Sequence, residues 1–177
     1  YIELVKARLQ KDAATQSRLV AQQTLAYVLE GILKLLHPFM PHITEEIWHT
    51  LTQAGSGESL ALQTYPQTDA SLIDLELEQQ FELLFDAIRT IRNLRAEAGI
   101  KPGAKVTAFL QSESDRERQI LTSGQVYVRQ LAKVETLTVT SDIETAIEPA
   151  IAGVVGTIQV LIPLYLLSYL KIGSLLM

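Results

Sequence analysis

The chain has no cysteine among its 177 residues. That excludes disulfides and Cys-based zinc or iron–sulfur centres, and it suits a reducing, cytosolic setting. Aromatic residues are sparse, at 6%, with a single tryptophan. Residues 35–88 contain no Lys or Arg against nine Asp and Glu. The formal net charge of −5 excludes a generic nucleic-acid glue, which would be basic. Neither a GxGxxG dinucleotide turn nor a GxxxxGK[ST] phosphate loop occurs. The N-terminus carries no signal-peptide pattern. Tyr1 is not an initiator Met, so the chain is expected to start inside a longer polypeptide.

What is present suffices for one domain or two small ones. A hydrophobic fraction of 47% is ordinary for a globular protein. Positive charge is local: residues 86–105 carry Arg89, Arg92, Arg95, Lys101 and Lys105 against Asp86 and Glu97. A phosphate-facing surface belongs there, or near Lys6, Arg8 and Lys11.

Residues 2–9 read as a short helical piece, followed by a polar stretch over 10–17. Residues 19–36 place Leu25, Val28, Leu29, Ile32, Leu35 and Leu36 at helical spacing, which predicts a long amphipathic helix. Pro38 and Pro41 then make a rigid corner, and proline restricts the residue before it, so the helix should stop near Leu36. Ile43, Ile47 and Leu51 open a further helix, with Trp48 beside them, ending near Gly55. On this reading Glu45 and Glu46 fall in its first turn, where negative charge suits the dipole. A segment over 59–70 with Pro66 connects to the longest helix, 75–98. Leu77, Phe81, Leu84, Phe85, Ile88, Ile91, Leu94 and Arg95 mark its buried stripe, Gly99 its C′ residue, and Pro102 a stop.

Beyond it the period changes. Residues 105–111 read as a strand, 114–121 and 126–132 as short helices capped by Ser114 and Ser123, and 137–140 as a strand. Residues 150–155 and 158–163, split by Gly156-Thr157, read as a hairpin. The chain is therefore expected to be mainly α, with an α+β C-terminal part built on a mostly antiparallel sheet. There is no internal repeat.

The string His37-Pro38-Phe39-Met40-Pro41, followed by Ile43-Thr44-Glu45-Glu46-Ile47-Trp48, resembles the helical-bundle anticodon-binding domain of the class I aminoacyl-tRNA synthetases for valine, isoleucine and leucine. Within that family it is most similar to the enzymes for valine. Tyr1-Ile2-Glu3-Leu4, Tyr27-Val28-Leu29-Glu30, Ile91-Arg92-Asn93-Leu94-Arg95-Ala96-Glu97, Ile100-Lys101-Pro102 and Leu131-Ala132-Lys133-Val134-Glu135 support it by order and spacing. Pro41-His42-Ile43 with Glu45-Glu46 also resembles the leucine enzymes.

The resemblance implies a partial anticodon-binding bundle over 1–70, a long helix plus small antiparallel-sheet subdomain over 71–164, and an atypical apolar tail over 165–177. It implies the anticodon stem-loop of tRNA(Val) as partner, together with synthetase domains outside this chain, in the cytoplasm. The family's His-Ile-Gly-His-like and Lys-Met-Ser-Lys-Ser-like motifs are absent, so no catalytic residue is assigned. ATP and Mg²⁺ would belong to the full-length enzyme, and this chain should be inactive alone. Two other readings stand beside this one: a free-standing helical interaction protein, tethered to a membrane by its tail, and the product of a broken gene, poorly folded because apolar helix faces lack partners.

Candidate tRNA-binding residues are Thr44, Glu45, Glu46, Arg89, Arg92, Arg95 and Lys101. Carboxylates accept hydrogen bonds from base amino groups; at a helix start the same residues also cap and charge the first turn. Phe39 or Trp48 could stack on a base, although at this spacing both suit a core. Arg89, Arg92 and Arg95 recur every three residues, which suggests one helix face toward phosphates or a solvated face near a helix C-terminus. His37, His42 and His49 with Glu45 and Glu46 raise a metal site, because Glu46 and His49 have i, i+3 spacing. Two ligands without a convergent set bind weakly, and no metal is expected. The run from Pro149 to Leu170 holds no charge and is long enough to span a bilayer. Its glycines and Pro163 favour a hairpin followed by a foreign tail, and a membrane is not the expected partner.

Overall fold

The computed structural model describes residues 2–10, 14–142 and 149–164. The tail 165–177 and Lys11 lie outside the described residues. The chain forms two compact units, Tyr1–Ile73 and Asp74–Met177.

The first unit is helical. Helix α1 (Ile2–Val5) runs into a single 3₁₀ turn, Lys6–Leu9. Helix α2 (Thr15–Leu36) starts four residues earlier than the apolar period, because the polar first turn is solvated rather than unwound. By length and composition α2 is apolar enough to cross a membrane; an amphipathic bundle helix meets the same measure. It ends where Pro38 predicts. After the corner, α3 (Pro41–Thr52) places Pro41 at its first position, where a missing N–H costs nothing. The apolar contact is small: Leu33, Trp48 and Leu60 are buried together, with Leu51 and Ala54 against them. The rest of the apolar stripe does not join it; Val28, Leu29, Ile32, Leu35, Leu36 and Ile43 all remain exposed.

The second unit begins with α4 (Leu75–Glu97), capped by Asp74, whose carboxylate accepts from the Leu77 N–H at 2.9 Å. Its end is a Schellman arrangement: Ile100 N–H donates to Arg95 O and Gly99 N–H to Ala96 O. Gly99 sits at φ +65°, the left-handed conformation that the arrangement requires. Strand β1 (Val106–Gln111), helices α5 (Asp115–Ser123) and α6 (Gln125–Ala132), and strands β2 (Val134–Thr140), β3 (Ala150–Val155) and β4 (Ile158–Pro163) follow. Ser114 caps α5 as the sequence predicts, but α6 starts from Gly124 with no side-chain cap, so Ser123 does not serve.

The sheet order is β2-β1-β4-β3. Both β4 pairings are antiparallel, whereas β1 and β2 run parallel. The α5–α6 segment is the crossover that a parallel pair needs. Alternate residues of β1 (Val106, Ala108, Leu110) and β4 (Ile158, Val160, Ile162) are buried, with Ile91, Leu121 and Val128 completing the core. Leu77 and Phe85, expected in the buried stripe of α4, are exposed. Gly153 lets α4 approach β3: a Cβ there would lie 2.8 Å from Thr90 Cγ2. The uncharged run singled out in the sequence thus folds as a strand hairpin as far as Pro163.

Candidate nucleic-acid interface

The proline corner is held by its own backbone. Phe39 N–H and Met40 N–H both donate to Leu36 O, at 2.9 and 3.0 Å. Met40 is the N-cap of α3 but carries no capping side chain. Thr44 braces the junction in a different way: it is 2% exposed, and its hydroxyl donates to the N-cap carbonyl, Met40 O, at 2.8 Å. With that proton spent, Thr44 Oγ accepts from His37 Nδ1, also at 2.8 Å. Thr44 therefore braces the corner from inside and is not presented to a ligand.

Glu45 and Glu46 stand in the second turn of α3, not the first, because the helix begins at Pro41 itself. They also part company. Glu45 turns inward and accepts from the Leu60 N–H through both oxygens, at 3.0 and 3.2 Å. Its Oε1 lies 3.3 Å from His49 Nε2, and its Oε2 3.9 Å from His37 Nε2. His49 spends its other nitrogen on Ala54 O. The three side chains thus form an internal staple between α3 and the Leu60–Leu62 turn, and the suspected Glu46–His49 pair does not form. Glu46 and His42 are exposed. The neighbouring Phe39 is 82% exposed, while Trp48 is 4% exposed and belongs to the core. Of the two aromatic candidates, only Phe39 offers a face.

The Glu45 carboxyl is pushed up by burial, but the Leu60 N–H, Ser59 and the two imidazoles outweigh that and hold it below its ordinary value. A lowered folded value means that its contribution is complete above the ordinary carboxylate range. It is lost as pH falls through the lowered value. The Leu60 amide resonance should therefore titrate with a midpoint below that range, and Glu45→Gln should remove the titration. A midpoint at or above the ordinary carboxylate value would refute the staple.

The three arginines of α4 do not share one role. Arg89 is exposed and paired with Asp86 at 2.8 Å. Arg92 is exposed and has no ion pair among the described residues. Arg95 is 6% exposed, as its place in the apolar stripe of α4 predicts, and this corrects the expectation of a common outward face. Positions six apart on a helix lie far round from each other, so Arg95 points into the unit. Its guanidinium donates to Ala132 O, Lys133 O and Ala104 O at 3.0, 2.8 and 2.7 Å, and to Lys101 O and Pro102 O at 3.3 and 3.4 Å. Burial lowers its proton affinity, and the charge of Arg92 adds to this. Lys101 contributes a carbonyl to this clamp, and its side chain is exposed. In the first unit, Lys6 pairs with Glu3, and Arg8 donates to Ser17.

Sequence reasoning did not single out Arg129 and Lys133 as site residues. Both line grooves at this end of the second unit, Lys133 alongside Arg92 in one and alongside Lys105 and Arg129 in the next. They meet Lys105 only through the parallel β1–β2 pairing, which no local motif announces.

A family profile described as the anticodon-binding domain of tRNA ligase matches residues 1–110. The chain is similar to a valine–tRNA ligase of Nostoc sp., 70% identical over 141 residues, covering 78% of this chain and 14% of that protein. A valine–tRNA ligase of Synechocystis sp. is 61% identical over 168 residues, covering 93% of this chain and 18% of its own length. That of Fusobacterium nucleatum is 39% identical over 146 residues, 81% of this chain and 16% of the relative. The chain thus spans less than a fifth of the length of these relatives.

Proposed function

The chain belongs to the family of anticodon-binding domains of tRNA ligases, and from that premise we propose that it is the portion of a valine–tRNA ligase that holds the anticodon stem-loop of tRNA(Val). The observation that carries the reading is its identity to valine–tRNA ligases over most of its length. The geometry supports a division of labour. Phe39 offers a ring for stacking, and Glu46 a carboxylate for a base amino group, both on a corner that Thr44 and Glu45 brace from behind. Arg92 and Lys101, with Arg89 if it leaves Asp86, contribute phosphate contacts, which position without reading sequence. The exposed apolar faces of α2 and α3 are seats for further helices of the parent synthetase. ATP, Mg²⁺ and valine are handled by catalytic domains outside this chain, in the cytoplasm.

Fluorescence anisotropy with a labelled tRNA(Val) anticodon stem-loop tests this. The chain should prefer it to the same stem carrying another anticodon. Glu46→Gln should lose about 1–3 kcal/mol of that discrimination. Equal affinity for both loops would overturn the reading.

A further inference from the structure

We propose that the basic end of the second unit is a groove for the phosphate backbone of a paired RNA segment, in which Lys105, Arg129 and Lys133 extend the phosphate contacts already assigned to Arg92 and Lys101. It rests on the reading of the chain as a tRNA-binding portion. Many cations of this protein are already engaged. Lys6, Lys34, Arg89, Arg116 and Arg118 each pair with a carboxylate within a turn or across helices. Arg92, Lys101, Arg129 and Lys133 have no such partner among the described residues, and all four are exposed. They come from α4, the loop after it, α6 and the α6–β2 junction, and they converge on one end of the unit. Two adjoining grooves share Lys133: one also has Arg92, the other Lys105 and Arg129. Lys105 has only a long, exposed pair with Glu135, at 3.4 Å, which contributes little.

A bland account would assign these cations to the helix C-termini that end here. Arg95 has already taken that role at α6, and α4 closes on its own Schellman bonds. Arg95 occupies the terminal carbonyls of α6, Ala132 O and Lys133 O, and three carbonyls of the loop after α4. The surrounding charges are left to face outward, on a backbone that Arg95 fixes. Concentrated positive charge in a chain of net charge −5 selects a polyanion for this place rather than for the whole surface. The grooves contain no aromatic side chain. Single-stranded RNA is usually held by base stacking, whereas a duplex presents phosphates and 2′-hydroxyls. The chemistry therefore fits a stem.

The test is binding of the full chain to two labelled RNAs over a salt series: the tRNA(Val) stem-loop, and a duplex of unrelated sequence without a loop. The triple variant Lys105→Gln, Arg129→Gln, Lys133→Gln should flatten the salt dependence for the duplex by about 2–3 units, at about 0.9 per phosphate contact. Arg92→Gln should flatten it by about one unit. Arg116→Gln, remote from the grooves, should change nothing. A triple variant that keeps the original slope overturns the groove and leaves the anticodon reading standing. Duplex binding that the triple variant loses, with the stem-loop bound no more tightly than the duplex, overturns the anticodon reading and keeps the groove. A chain that binds neither RNA overturns both.

Discussion

Arg95→Met is expected to cost the second unit about 3–5 kcal/mol, because it leaves buried carbonyl acceptors without their charged donor. Methionine retains most of the apolar stem, so the loss is in hydrogen bonding rather than volume. The five acceptors are backbone carbonyls, and no compensating substitution can remove them. Lys101 O and Lys133 O keep backbone partners in the Ala104 and Val106 N–H groups, so fewer than five are orphaned, at about 1–3 kcal/mol each. Water entering from the adjacent groove would recover part of that, which keeps the total below the simple sum. Arg95→Lys should fall between the two, because an ammonium cannot span five acceptors as a planar fork does. Urea denaturation, read through protection of β1 and β4 amides, measures the effect. A loss under about 1 kcal/mol would mean that the clamp is not what orders the loop after α4.

Trp48→Ala should cost the first unit about 3–5 kcal/mol, as for other large aromatic truncations in cores. The consequence is severe because, among the described residues, only Leu33 and Leu60 share that cluster as buried residues. Amide protection in α3 and at Leu60 should collapse. The indole Nε1 is buried without a partner of good hydrogen-bond geometry among the described residues. Nearby, the Glu30 carboxyl is held down chiefly by a hydrogen bond from Lys34, against burial, with the indole adding a weak pull. Trp48→Phe removes that poorly satisfied donor and keeps much of the apolar body, so it should be far milder. A stacking role would reverse the pattern: Trp48→Phe would weaken RNA binding, while amide protection in Trp48→Ala survived.

The elements most readable from sequence were those with local causes. Pro38 and Pro41 marked the end of α2 and the start of α3, and Gly99 the end of α4, because fixed φ and positive φ are properties of single residues. Ser114 was legible as a cap for the same reason. Ser123 misled because Gly124 could begin α6 directly. The placement of Glu45 and Glu46 in a first turn failed by one turn, since Pro41 itself opens α3.

Residue type and order by themselves determined the helix–corner–helix, the hairpin, and the family to which the chain belongs. Tertiary structure alone decided what the inward-facing candidates are spent on. The apolar stripe of α4 put Arg95 on the buried side, but not against the carbonyls it serves, which come from residues up to 38 positions away. Thr44 and Glu45 are likewise claimed by partners that local spacing does not reveal. Arg92, Arg129 and Lys133 converge for the same physical reason. A helix period fixes direction around one axis, but the neighbours that occupy a charge or leave it free come from chain crossings that only the packed core specifies.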